Sequence, residues 1–280
     1  MARAGVGVDE HVSTTSDSTQ PQQSLQVDTG PLPNGFEVED WGPGKSAMIT
    51  GGSTGIGRAL ALLLAARGAR VMICGRNQTE LDDALRHLNE IGADANGVVA
   101  DISKTSDVDM LFDRADDWMG TADVLVNNAG LAAQDVAATD VDSINYVVST
   151  NLLGTMYCTH HALERMRPRR SGVIVNIGSM SADVREEGSS VYVATKSGMQ
   201  GFSAALRKEI SKDGIRVVHV EPGETGTDMN ENDPAQQREK ESRDELLKAE
   251  DVALVVYGAL CMPKRADVVE ISVRPSQQAI

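Results

Sequence analysis

The stretch that decides the fold is Ala47-Met48-Ile49-Thr50-Gly51-Gly52-Ser53-Thr54-Gly55-Ile56-Gly57. A short aliphatic run ends in a glycine-rich turn. After Gly55 the apolar residues Ile56, Leu60, Leu63 and Leu64 recur on one helical face, and Gly68 is placed to end that helix. Strand, tight turn and helix N-terminus form the context in which a glycine loop acquires chemical meaning. Gly51 and Gly55 let the backbone turn and approach a pyrophosphate, while Gly57 lets the helix pack closely. The first-turn N–H groups, with the positive end of the helix dipole, suit a phosphate.

Working outward, short apolar runs alternate with amphipathic stretches. Strands are expected near Ala47–Thr50, Arg70–Cys74, Val98–Ala100, Val124–Val126, Val173–Ile177, Val217–Val220 and Val269–Val273. Asn77 followed by Glu80 is a candidate N-cap with its capping partner. Near-continuous aliphatic strands separated by helices imply an α/β domain, a doubly wound parallel sheet of about seven strands covered on both faces. No internal repeat and no second domain are expected.

The chain has 280 residues, with 26 Lys+Arg against 41 Asp+Glu and a net charge of −15. Such a surface repels phosphate backbones and anionic lipid, which argues against nucleic-acid and membrane-surface partners. No apolar run is long enough to span a bilayer, and the N-terminus has no export-signal pattern. Cys74, Cys158 and Cys261 are far apart and odd in number, so they read as core residues of a reduced, cytoplasmic protein. Residues 1–44 differ in composition: rich in Ser, Thr, Gln and Pro, with one arginine against seven acids, they read as a disordered or extended acidic tail. Phe36, Val38 and Trp41 are candidates for docking it onto the domain that begins at 45 and runs to 280.

A dinucleotide fold that takes NAD usually ends its second strand with an acid for the ribose hydroxyls. Here that point reads Cys74-Gly75-Arg76-Asn77. Arg76 is placed to pair with a 2′-phosphate, so NADP(H) is expected over NAD(H), which stays open. Arg58 is a second candidate cation. Further on, Tyr192-Val193-Ala194-Thr195-Lys196 puts a phenol and an ammonium on one helix face. Ser179 follows an aliphatic strand, at the end where parallel sheets place ligands.

Together these motifs resemble the classical short-chain dehydrogenase/reductase family, from about Ser46 to Pro275. The turn Thr50–Gly57, the stretch Asn127-Asn128-Ala129-Gly130, Asn151, Ser179, Tyr192, Lys196, and Pro222-Gly223 with Thr227 occur in the family's order. The resemblance implies a Rossmann-type fold and an oxidoreductase acting on a small alcohol or carbonyl compound. It makes Tyr192 the general acid/base and Lys196 the residue that lowers its pKa and binds the nicotinamide ribose. Ser179 would hold the substrate oxygen, and Asn151 a water that links Lys196 to solvent. Gly51, Ser53, Thr54, Gly55, Ile56, Gly57, Asp101, Ile102, Asn128, Ala129, Gly130, Pro222, Gly223, Thr225 and Thr227 would line the cofactor cleft. No metal is expected. The C-terminal part is similar to bacterial NADP-dependent 3-hydroxy acid dehydrogenases, for which Arg185 or Arg238 would answer a carboxylate. Residues 228–246 read as a polar lid. The helices over Asn145–Met166 and Tyr192–Lys212 would pair across a twofold axis in a homodimer or homotetramer. The small residues Ala194, Ser197, Gly198, Gly201, Ala204 and Ala205 would permit the close approach.

Overall fold

The computed structural model describes Gly35, Glu37–Thr227, Met229 and Asp233–Gln278. Most of the stretch expected to be disordered therefore lies outside the described residues. Seven strands form the main sheet: β1 (Ser46–Thr50), β2 (Arg70–Gly75), β3 (Ala95–Val99), β4 (Val124–Asn127), β5 (Gly172–Ile177), β6 (Ile215–Pro222) and β9 (Glu270–Val273). A separate two-stranded ladder joins β7 (Thr225–Gly226) to β8 (Leu247–Lys248). The order in the main sheet is β3-β2-β1-β4-β5-β6-β9, and every pairing is parallel. This is the single Rossmann-type domain that the alternating pattern predicts.

The sheet is hydrophobic on both faces because helices cover both. Ile49, Val71, Ile73, Val126 and Val175 point to one side, against α1 (Gly55–Ala66), α2 (Gln78–Glu90) and α9 (Ala249–Leu260). Met48, Met72, Leu125, Ile174 and Val217 point to the other, against α3 (Thr105–Met119), α5 (Thr155–Arg169) and α7 (Ser190–Ile210). The alternation follows from the two-residue repeat of a strand.

Most of the expected elements form. Asn77 caps α2, its side chain accepting from the Thr79 and Glu80 backbones at 2.9 and 3.4 Å. Gly68 has φ +90° just beyond α1. The third strand is shifted: it is Ala95–Val99, not Val98–Ala100. It lies at the sheet edge with partial exposure, so Asn96 and Gly97 hide its aliphatic pattern. The helix expected over Asn145–Met166 is α4 (Val141–Val148), a π-helical turn (Ser149–Gly154) and α5 in sequence. Of the docking residues proposed for the tail, Trp41 is buried and Val38 is 63% exposed, while Phe36 lies outside the described residues. Glu39 N also donates to Cys261 O at 2.8 Å. Cys74 and Cys158 are buried, and Cys261 is half-buried. Burial pushes the Cys74 thiol up to about 12.

Candidate active site

The strand order reverses between β1 and β4, and a crevice at the carboxyl ends of the strands is where such sheets bind ligands. Two cavities open there and share the glycine turn. One, of about 510 Å³, runs past Ser53, Gly75, Arg76, Asp101 and Ile102. The other, of about 560 Å³, runs past Ser179, Tyr192, Lys196, Pro222 and Thr225. Gly51, Thr54, Ala129 and Gly130 line both. Gly55, Ile56, Asn128, Gly223 and Thr227 line the second.

The turn is braced from β4. Asn128 Nδ2 donates to Gly51 O at 2.9 Å and Thr50 O at 3.1 Å. Thr50 Oγ1 accepts from the Asn128 and Ala129 backbones at 3.1 and 3.2 Å. Gly57 lines neither cavity. A Cβ there would overlap the Gly51 carbonyl and reach 2.5 Å from Asn128 Nδ2, so its close approach is to the turn itself. Gly51, with φ +63°, adopts the left-handed conformation that its place in the turn requires.

Arg76 is exposed at the mouth of the first cavity, where its guanidinium lies 5.4 Å over the Tyr146 ring and donates to the Tyr146 hydroxyl. That hydroxyl donates to Asp101 Oδ2 at 3.0 Å, and Asp101 Oδ1 accepts from Ser103. Burial raises the Asp101 pKa, but the Ser103 and Tyr146 hydrogen bonds and Lys104 outweigh it and hold the carboxyl below its ordinary value. Nothing local in the sequence distinguishes Tyr146, five residues before Asn151; α4 (Val141–Val148) carries it to Arg76 and Asp101, which line the cavity. Arg58 does not join Arg76. It pairs with Asp83 at 2.8 Å and with His87 on α2, because the side of α1 that carries it packs on α2.

The second cavity gathers the remaining residues. Lys196 is buried, and its Nζ donates to Ile177 O at 2.9 Å. Burial lowers its pKa to about 8. The ammonium lies 5.6 Å from the Tyr192 ring centroid. The Tyr192 phenol is pushed up by burial, eased by the neighbouring Ser179 side chain and pushed further by the Glu186 charge. That direction is opposite to the one expected from a neighbouring ammonium: in the chain by itself, desolvation of the phenol wins. Asn151 is fully buried on the π-helical turn, a distortion common at functional sites. Its amide is held on both sides by the Leu131 backbone, at 2.8 and 2.9 Å, and by Thr195 Oγ1 at 3.2 Å. A Cβ on Gly130 would lie 3.7 Å from both Asn151 Oδ1 and Lys196 Nζ, so these two groups face one space.

The residues present fit a dinucleotide. The N-cap Thr54 makes no side-chain cap bond and the first turn of α1 has no acid, which leaves the helix start open to an anion. Thr150 Oγ1, in the wall of the first cavity, is buried with no hydrogen-bond partner among the described residues.

The short chain dehydrogenase family model matches residues 45–238. The chain belongs to the short-chain dehydrogenase/reductase family. An uncharacterized oxidoreductase of Staphylococcus aureus (strain MRSA252) is 34% identical over 233 residues, covering 82% of this chain and 97% of that one. An alcohol dehydrogenase from the archaeon Thermococcus sibiricus, complexed with 5-hydroxy-NADP, superposes with TM-score 0.77 at 26% identity, covering 84% and 98%. A variant of the actinorhodin polyketide ketoreductase with NADPH gives 0.75 at 28% identity, covering 82% and 96%. The protein is thus an NAD(P)-dependent oxidoreductase of this family. Among the described residues no helix is long and apolar enough to cross a membrane.

Two expectations about the substrate end are not met. Arg185 and Arg238 do not line the cavity. Arg185 has φ +55° and its Nε donates to Ala182 O at 3.2 Å, while Arg238 is exposed on α8 (Pro234–Ser242). Neither is placed to answer a carboxylate. Of the segment read as a lid, Met229 lines the cavity, and Asp228, Asn230, Glu231 and Asn232 lie outside the described residues.

Proposed function

We propose that the protein is an NADP(H)-dependent alcohol dehydrogenase or carbonyl reductase that interconverts a secondary alcohol and its ketone. The observation that carries this reading is the convergence of Ser179, Tyr192 and Lys196 on one cavity that is continuous with a glycine turn shaped for a pyrophosphate. Bound nicotinamide supplies the hydride chemistry. The chain supplies orientation and the proton. Ser179 Oγ positions the substrate oxygen, and Tyr192 Oη gives that oxygen a proton in reduction and takes one in oxidation. Lys196, held by the Ile177 carbonyl, grips the ribose, and Asn151 with Lys196 borders the space through which the proton is exchanged with solvent.

A phenol raised by burial is fully protonated near neutrality. It is therefore ready to act as the acid in reduction. Oxidation needs the phenolate and speeds up with rising pH. The NADP preference rests on Arg76, held by Tyr146 at the cavity mouth, and on the absence of an acid at the end of β2. The exposed small residues Ala194, Gly201 and Ala204 on α7 support a homodimer or homotetramer built across that helix.

The test is a panel of ketones and secondary alcohols screened against NADPH and NADH in parallel, with Tyr192→Phe as the comparison. The expected result is turnover with NADPH preferred and a loss of roughly a hundredfold or more in Tyr192→Phe. Tyr192→Phe turning over at the parental rate would remove the phenol from the mechanism.

A further inference from the structure

A substrate's own charge must be answered by the side chains around Tyr192. Among the described residues lining that cavity, the charged ones are Lys196, Glu186 and Glu224. Lys196 is committed to the Ile177 carbonyl at the coenzyme end. Glu224 is paired with Lys240 at 2.8 Å. Glu186 differs from both. It follows the short helix α6 (Ser181–Val184), is exposed at the rim, and makes no ion pair among the described residues. Its one hydrogen-bond partner there is the Ser181 hydroxyl. Ser181 accepts in turn from Ser179 Oγ at 3.2 Å, so the carboxylate is tied to the group that holds the substrate oxygen. It is also close enough for its charge to oppose ionisation of Tyr192. The rest of the wall on that side is apolar or neutral: Met180, Val184, Met229 and Gln278. The neighbouring stretch 228–246 carries seven acids against three bases.

We propose that Glu186 is a specificity-determining residue that selects substrates carrying a cation beside the reacting carbon, namely amino alcohols and amino ketones, and rejects hydroxy acids. This rests on the oxidoreductase reading above and narrows its substrate class. A protonated amine placed a few ångströms from the carboxylate gains attraction where a carboxylate would meet repulsion. At a solvated rim each effect is worth about a fivefold change in kcat/KM.

The test uses three small 2-hydroxypropyl compounds of similar size whose carbinol carbon bears an aminomethyl, hydroxymethyl or carboxylate group: isopropanolamine, propylene glycol and lactate. Each is measured for kcat/KM with NADP and as a competitive inhibitor of the best alcohol found in the screen. The proteins compared are the parent, Glu186→Gln and Glu187→Gln. Glu187→Gln removes the same charge from a residue that does not line the cavity. The expected result is a preference for isopropanolamine over propylene glycol over lactate, about fivefold at each step. Both ratios should fall towards one in Glu186→Gln and hold in Glu187→Gln. Equal ratios in the parent, a preference for lactate, or an equal collapse in both variants would overturn the proposal, the last by assigning the effect to the overall charge. Those failures leave the oxidoreductase reading standing, because that reading is tested separately, by turnover of the ketone and alcohol panel with NADPH and NADH and its loss in Tyr192→Phe.

Discussion

Lys196 should make the protein less stable at neutral pH. Its ammonium is buried, and burial moves its pKa from the ordinary 10.5 to about 8. That difference corresponds to about 3 kcal/mol, the cost of keeping the charged form inside the fold below the folded-state value. Lys196→Met has nearly the same shape and removes the charge. It also removes the hydrogen bond to Ile177 O, a loss of about 1 kcal/mol. The net expectation is a gain of about 2 kcal/mol near pH 7, or about 4–8 °C in Tm for a domain of this size, with activity abolished.

The sign is testable because the gain must depend on pH. Below pH 8 the folded and unfolded chains both hold the proton, and the parent bears the full cost. Between about 8 and 10.5 the unfolded chain still binds the proton that the folded chain has released, so the parent gains stability as pH rises. The advantage of Lys196→Met should therefore shrink across that window and turn into a small deficit above it. Urea unfolding of both proteins at a series of pH values measures this directly. A variant no more stable than the parent near neutrality, or a gain that is flat through the window, would refute the reasoning.

Arg76→Ala should weaken NADPH by about ten- to a hundredfold with little effect on NADH, and Tyr146→Phe should give a smaller loss in the same direction; coenzyme fluorescence titration separates the two. Gly57→Ala should force the turn away from Asn128, breaking two hydrogen bonds at a cost of about 2–4 kcal/mol and weakening coenzyme binding, which unfolding and titration both read. Gly130→Ala places its methyl at ordinary contact distances, so the fold should keep its Tm while turnover falls, since the methyl enters the space between Asn151 and Lys196. Removal of residues 1–36 should leave activity intact, whereas a cut extending to 44 removes buried Trp41 and should cost about 3–5 kcal/mol, visible as a lower Tm.

Much of the architecture was legible because its signals are local. A strand buried on both faces must be aliphatic throughout, so β1, β2, β4, β5 and β6 announce themselves. The edge strand β3 is half-exposed, and its polar residues concealed its start. The motifs from Thr50 to Gly57 and from Tyr192 to Lys196 are contiguous, and their spacing alone places the groups on one turn or one helix face. Residues whose role comes from a distant element could not be read. Tyr146 reaches Asp101 across 45 positions, Thr195 meets Asn151 across 44, and Arg58 is drawn off by Asp83.

The sequence by itself determined the order of strands and helices along the chain and the glycine turn, and it named the candidate reacting groups. Periodicity and backbone freedom are properties of neighbouring residues, which a string of letters preserves. Only the tertiary structure decided the electrostatics. A phenol and an ammonium four residues apart promised an acidic tyrosine, yet burial raised the phenol and lowered the amine. Desolvation depends on what the whole chain packs around a group, and so does the fact that Glu186, and neither Arg185 nor Arg238, lines the cavity.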